Sequence, residues 1–80
     1  MPRTGFNPVT SIPFTLRYEQ HVRLAVFDLL GREIAVLVDG VLPEGRHERL
    51  FDAGQLPAGV YQYQLTAEGA SESRTLTLVK

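Results

Sequence analysis

Leu56-Pro57-Ala58-Gly59-Val60-Tyr61-Gln62-Tyr63-Gln64-Leu65 decides the fold, because a tight turn runs straight into a stretch where aromatic and aliphatic residues alternate with glutamines. Pro57 supplies the fixed φ wanted at the second place of such a turn, and Gly59 suits its last place. Tyr61, Tyr63, Leu65 and Ala67 then share one face of a strand, while Val60, Gln62, Gln64 and Thr66 take the other. A turn feeding directly into a strand that alternates aromatic or apolar residues with glutamines points to a β-domain without chemistry.

Outward from this stretch the punctuation continues at short intervals. Residues 10–18 alternate Thr10, Ile12, Phe14, Leu16 and Tyr18 with Ser11, Pro13, Thr15 and Arg17, the period of a strand. Pro13 has no N–H to give to a ladder, so that strand belongs at an edge or at a switch between sheets. Residues 21–28 put Val22, Leu24 and Val26 on one face, and Asp28-Leu29-Leu30-Gly31 is a hairpin loop that Gly31 closes in the left-handed conformation. Ile34-Ala35-Val36-Leu37-Val38 is continuously apolar, and its β-branched residues favour a buried strand over a helical turn. Asp39-Gly40 and Leu42-Pro43-Glu44-Gly45 read as turns, residues 46–52 alternate again, and Glu68-Gly69-Ala70-Ser71 turns the chain into a last strand that runs to Lys80.

About seven short strands result, joined by hairpins and by one longer connection at residues 52–58, which predicts an all-β, immunoglobulin-like antiparallel β-sandwich. Its expected core is Ile12, Phe14, Leu16, Leu24, Val26, Val36, Phe51, Tyr61, Tyr63, Leu65, Leu76 and Leu78. Eighty residues make one domain, near the lower limit for a single hydrophobic core. We read residues 1–6 as a linker remnant and 7–80 as the domain. Residues 1–8 carry no apolar stretch of the export-signal type, so either the protein stays inside or the chain is the tail of a longer precursor; the short polar lead-in, which reads as a linker remnant with an added start residue, favours the tail.

Composition removes several classes of function. Hydrophobic residues at 44% and charged ones at 21% are ordinary for a globular domain. No run approaches the roughly 18 apolar residues of a spanning helix, so no membrane span is expected. A net charge of -1 gives no field for a phosphate backbone, so no nucleic acid is expected. With no cysteine, disulfides, thiolate metal sites and thiol nucleophiles are absent.

The remaining chemical constellations reduce to structure. His21 and His47 lack metal-ligand spacing; His21 reads as a solvated loop residue and His47 as a strand residue paired across the sheet. Asp28, Asp39 and Asp52 stand singly, short of a calcium cage, and Asp39 and Asp52 read as turn caps. Ala70-Ser71-Glu72-Ser73 lacks the glycines of a nucleophile elbow, and no phosphate-cradling glycine run exists. Phe51, Tyr61 and Tyr63 read as core in preference to a sugar platform. Leu29-Leu30 at a hairpin tip is unusual, since tips are normally polar; the pair either folds over the end of the sandwich or forms a contact patch. The reading is of a non-enzyme with no cofactor, no catalytic residue and no metal.

Five segments in order carry a resemblance. Asn7-Pro8-Val9-Thr10-Ser11-Ile12-Pro13-Phe14-Thr15-Leu16, then Phe27-Asp28-Leu29-Leu30-Gly31-Arg32-Glu33, then Gly45-Arg46-His47 with Phe51-Asp52, then residues 56–65, then Leu78-Val79-Lys80 are similar to the type IX (Por) secretion system C-terminal sorting domain, type A. Phe51 stands where tryptophan is more usual, and Thr4-Gly5 where a first Asn-Pro step often lies. The resemblance implies a domain at the C-terminus of a larger protein that passes through the periplasm, is read by outer-membrane machinery and its processing peptidase, and is secreted or attached to the cell surface. Its partners would be that machinery and the N-terminal cargo domains of the same precursor, with an edge-strand dimer as a further option. Leu76, Leu78, Val79 and Lys80 are the expected recognition residues, and removal of 78–80 is expected to abolish export while sparing most of the fold. Asn7, Pro8, Asp28, Gly31, Gly45, Pro57, Gly59, Tyr61 and Tyr63 are the expected motif and fold determinants. A structural immunoglobulin-like spacer, similar to that of flagellar hook-capping proteins, and an accessory carbohydrate-binding module are the competing accounts.

Overall fold

The computed structural model describes residues 8–79 and contains six strands and no helix: β1 (Val9–Leu16), β2 (Gln20–Phe27), β3 (Glu33–Leu42), β4 (Gly45–Asp52), β5 (Gly59–Ala67) and β6 (Ala70–Leu78). They form two antiparallel sheets, one of β1-β4 and one in the order β3-β2-β5-β6. The chain crosses between sheets after β1, β3 and β4, which makes the structure a sandwich, six-stranded among the described residues. Pro13 lies opposite Glu48 in a strand paired on one side only, as its missing N–H requires.

Period-two alternation decides which side chains meet between the sheets. Ile12, Phe14 and Leu16 from β1 and Phe51 from β4 point toward Val22, Leu24 and Val26 of β2, Tyr61 of β5 and Leu78 of β6. Ile12, Val22, Leu24, Val26 and Leu78 are the largest completely enclosed side chains. Val22 and Ala53 join the expected core, while Tyr63, Leu65 and Leu76 sit half-buried against it. Burying a side chain of this kind contributes about 1.5–3 kcal/mol, so this cluster is the main stabilising term.

Val36 is a correction: it is 43% exposed. The pairing of β2 with β3 slips between Leu24 and Ala25 and again between Val26 and Phe27, leaving Leu37 and Ile34 as extra residues on β3. Each bulge turns two successive side chains to the same side, so Ile34-Ala35 and Leu37-Val38 pack inward and Val36 between them faces out. The continuous apolar run therefore belongs to a doubly bulged strand. That strand also runs straight through Asp39-Gly40, where a turn was expected, because Asp39 on its outer face pairs with Arg23 (3.7 Å) and His21 (3.0 Å) on β2. His21 accordingly lies in β2 and not in a loop, and Asp39 caps no turn. The last strand begins at Ala70, inside the stretch read as a turn, and ends at Leu78; Lys80 lies outside the described residues.

Gln20 is the one buried polar residue among those described, and both ends of its carboxamide are hydrogen-bonded. Its Nε2 donates to the Tyr18 carbonyl at 3.1 Å and its Oε1 accepts from the Glu68 N–H at 3.2 Å. The bond pair ties the β1–β2 turn to the β5–β6 hairpin across the sandwich. His47 stacks on Phe14 with ring centroids 5.5 Å apart, and its Nε2 meets the Pro43 carbonyl at 2.8 Å. No buried side-chain polar atom lacks a partner among the described residues.

Candidate functional site

Register brings most of the singled-out residues to one end of the sandwich. Phe27 at the end of β2 pairs with Gln62 near the start of β5, and Leu76 and Leu78 at the end of β6 pair with Tyr61 and Gly59. Val9 at the start of β1 pairs with Asp52 at the end of β4, and the Pro8 carbonyl accepts the Ala53 N–H. Pro8, Asp28, Gly31, Pro57, Gly59, Tyr61, Leu76, Leu78 and Val79 therefore share this end. Gly45 lies at the other, opposite Leu16. Asn7 and Lys80 fall outside the described residues. Tyr63 sits half-way along β5, half-buried in a cleft between the unpaired flanks of β1 and β6 with Ile12, Phe14, Glu72 and Arg74.

The β2–β3 loop is built around Asp28. Its backbone N–H donates to the Arg32 carbonyl and its carbonyl accepts from the Gly31 N–H, both at 3.0 Å. Its Oδ1 accepts from the N–H groups of Leu30 (2.9 Å) and Arg32 (3.0 Å), and its Oδ2 from Arg32 Nε (2.8 Å). Gly31, at φ +82°, closes this three-residue loop in a conformation L side chains seldom take. The Arg32 N–H first, then the Arg32 guanidinium and the Leu30 N–H, hold the Asp28 carboxyl below its ordinary pKa, outweighing the opposing effect of desolvation. Leu29 and Leu30 do not fold over the sandwich; they stand 70% and 78% exposed at the tip of this framework.

Facing the loop is the crossing from β4 to β5. The Asp52 carboxylate accepts the Gly54 N–H at 2.9 Å, and the Leu56 N–H donates to the Ala53 carbonyl at 3.0 Å, so the chain turns twice before β5. Tyr61 is buried, and its hydroxyl donates to the Pro57 carbonyl at 2.6 Å. This is the tyrosine corner of Greek-key sandwiches, in which a tyrosine early in a strand ties back to the connection before it. The Pro57-to-Tyr61 spacing is the signal that would have found it; Arg32, four residues after Asp28, is the other partner that local spacing offered. Between loop and crossing lies a hollow of about 620 Å³ lined by Leu29, Leu30, Ile34, Leu56, Pro57 and Val60 among others.

β6 splits in two. Glu72 and Arg74 point to the inner side yet stay exposed, paired with each other at 3.0 Å, whereas Leu76 and Leu78 close the core. The strand pairs with β5 alone, so its other flank is open among the described residues. Because Leu78 is a core side chain, removing residues 78–80 would cut into the fold as well as the expected recognition residues; the expectation that truncation spares the fold does not suit this packing.

Among the described residues no three His, Cys, Asp or Glu side chains gather in a way that could hold a metal ion, and no helix is long and apolar enough to cross a membrane. Phe51 and Tyr61 are buried, so the three aromatics do not form an exposed platform. On the outer face of β2 and β3, Arg23 is held by Glu33 at 2.8 Å and Asp39 at 3.7 Å, an ion-pair strip worth little each in stability. In comparison with known families, the model described as the secretion system C-terminal sorting domain matches residues 7–79. Comparison with curated proteins and with solved structures returned no significant match to this chain.

Proposed function

Since the chain belongs to the family of secretion system C-terminal sorting domains, a sorting tail for the type IX secretion system, we propose that its recognition element is the open flank of β6 with Leu76 and Leu78, together with Val79 and Lys80 that follow the strand. A secreted or cell-surface protein would carry it behind N-terminal cargo domains. The cargo would reach the periplasm, the outer-membrane machinery would bind the tail there, and a processing peptidase would remove it on release or surface attachment. Recognition by strand addition fits β6: an extended receptor segment can take the backbone N–H and C=O groups on a flank that no strand among the described residues occupies. Pro8, Asp28, Gly31, Gly45, Pro57, Gly59, Tyr61 and Tyr63 would serve the fold that displays this strand.

The observation that carries the reading is the family match over 7–79 together with a last strand that seats Leu78 in the core, pairs with β5 along one flank and has its other flank unpaired among the described residues. The test is export of a periplasm-directed reporter fused ahead of residues 7–80, in a host with a working type IX system and in its translocon-deficient mutant. Translocon-dependent export is expected. Retention in both strains, with the domain shown to be folded, would sink the proposal.

A further inference from the structure

We propose that the Leu29-Leu30 tip and the hollow beside it form a second docking surface, which takes an aliphatic or aromatic side chain of the outer-membrane secretion machinery; this rests on the sorting-domain reading above. Leu29 and Leu30 stand 70% and 78% exposed, and unlike the comparably exposed Leu50 (67%) and Val41 (62%), which lie singly on strands, they are adjacent at a loop tip. Their presentation is built. The three Asp28 carboxylate contacts and the two backbone bonds that close the loop fix it, so the conformational entropy of ordering the tip is spent before any partner arrives. A loop that served only to turn the chain would do so with polar residues at these two places.

The surroundings select a protein partner. The hollow is lined by the aliphatic Ile34, Leu56, Pro57 and Val60, and the charged residues of its lining are paired, Asp28 with Arg32 and Glu33 with Arg23 of the neighbouring strand. Apolar area accompanied by paired charges suits a protein interface. An anionic lipid surface calls for cations, and the loop's own cation, Arg32, is neutralised by Asp28 in a chain of net charge -1. A sugar ring calls for an open aromatic face, and Tyr61, the one aromatic at the hollow, is buried. The hollow adjoins the end of β6 through the pairing of Gly59 with Leu78, so one receptor can engage both.

The test compares the secreted fraction of the reporter carrying residues 7–80 with that of its Leu29→Ser/Leu30→Ser variant, in translocon-competent and translocon-deficient hosts. Purified domains are melted in parallel, and Leu30→Gln alone keeps the comparison open if the double variant melts early. Secretion is expected to fall about tenfold or more with the melting temperature unchanged, as for loss of an interface anchor, and Leu29→Met/Leu30→Met is expected to restore it. Equal secretion of the serine variant and the wild type would overturn the docking surface and leave the sorting reading standing. Failure of the wild type itself to be exported would overturn both. Sedimentation of the purified domain alone, and its co-sedimentation with phosphatidylethanolamine and phosphatidylglycerol vesicles, cover the other occupants. A dimer or a vesicle complex that disappears in the serine variant would reassign the tip and overturn the proposal.

Discussion

Tyr61 and Asp28 show how single side chains fix the end of the sandwich on which the functional reading rests. The Tyr61 hydroxyl has one partner, the Pro57 carbonyl, and the ring is enclosed, so phenylalanine keeps the packing and deletes the bond. Tyr61→Phe is expected to destabilise the domain by about 0.5–1.5 kcal/mol, which for a domain of this size lowers the thermal midpoint by at least a few degrees; thermal circular dichroism measures it, and an unchanged midpoint would mean the corner adds nothing. Asp28 gives a pH signature. Its folded-state pKa is depressed, chiefly by the Arg32 N–H, so its contribution to stability is complete above the unfolded aspartate value of about 3.9. It is lost as the pH falls from there through the lower folded value, because the unfolded state then binds the proton more readily. Asp28→Asn should therefore melt lower than wild type at neutral pH and show a shallower fall of the midpoint on acidification. Parallel acid limbs for the two proteins would contradict this account.

Strand by strand, what could be read locally was whatever period and turn residues encode. Alternation gave β1, β2, β4 and β5 and the inward faces of each, Gly31 marked the turn after β2, and Pro57 the turn before β5. β3 resisted because a bulge is a property of pairing, and Leu37 and Ile34 become extra residues only against β2. Asp39-Gly40 likewise looks like a turn until Arg23 and His21 on the neighbouring strand claim the carboxylate. β6 divides by role, and mutation should divide it too. Leu78→Ala removes an enclosed side chain and is expected to cost about 2–5 kcal/mol, while Thr77→Ala on the exposed face should stay within about 0.5 kcal/mol. Denaturant titration of both reads the difference; a near-neutral Leu78→Ala would mean that the end of β6 is not seated in the core.

Across the whole molecule, the convergence of the motif residues could not be seen in advance, although nearly all the residues themselves could. Asp28, Pro57, Tyr61 and Leu78 are scattered over fifty positions of sequence (28 to 78), and only the long-range pairings of Phe27 with Gln62, Gly59 with Leu78 and Val9 with Asp52 place them together. Gly45 carries the same kind of turn signal and lies at the far end, so motif membership alone does not locate a surface. One consequence is geometric. Pro8 and Val79 stand at the same end, so whatever is joined ahead of the domain emerges beside the end of β6 and the Leu29-Leu30 tip. A bulky folded reporter joined directly at residue 7 should therefore hinder a receptor at that end, and a flexible Gly/Ser linker of about ten residues, with a root-mean-square reach near 17 Å, should relieve the hindrance. Secreted fraction measured against linker length is expected to rise and then level off. A flat dependence, with the directly joined reporter secreted as well as the rest, would place the receptor's footprint at the opposite end, around Gly45 and the β5–β6 hairpin.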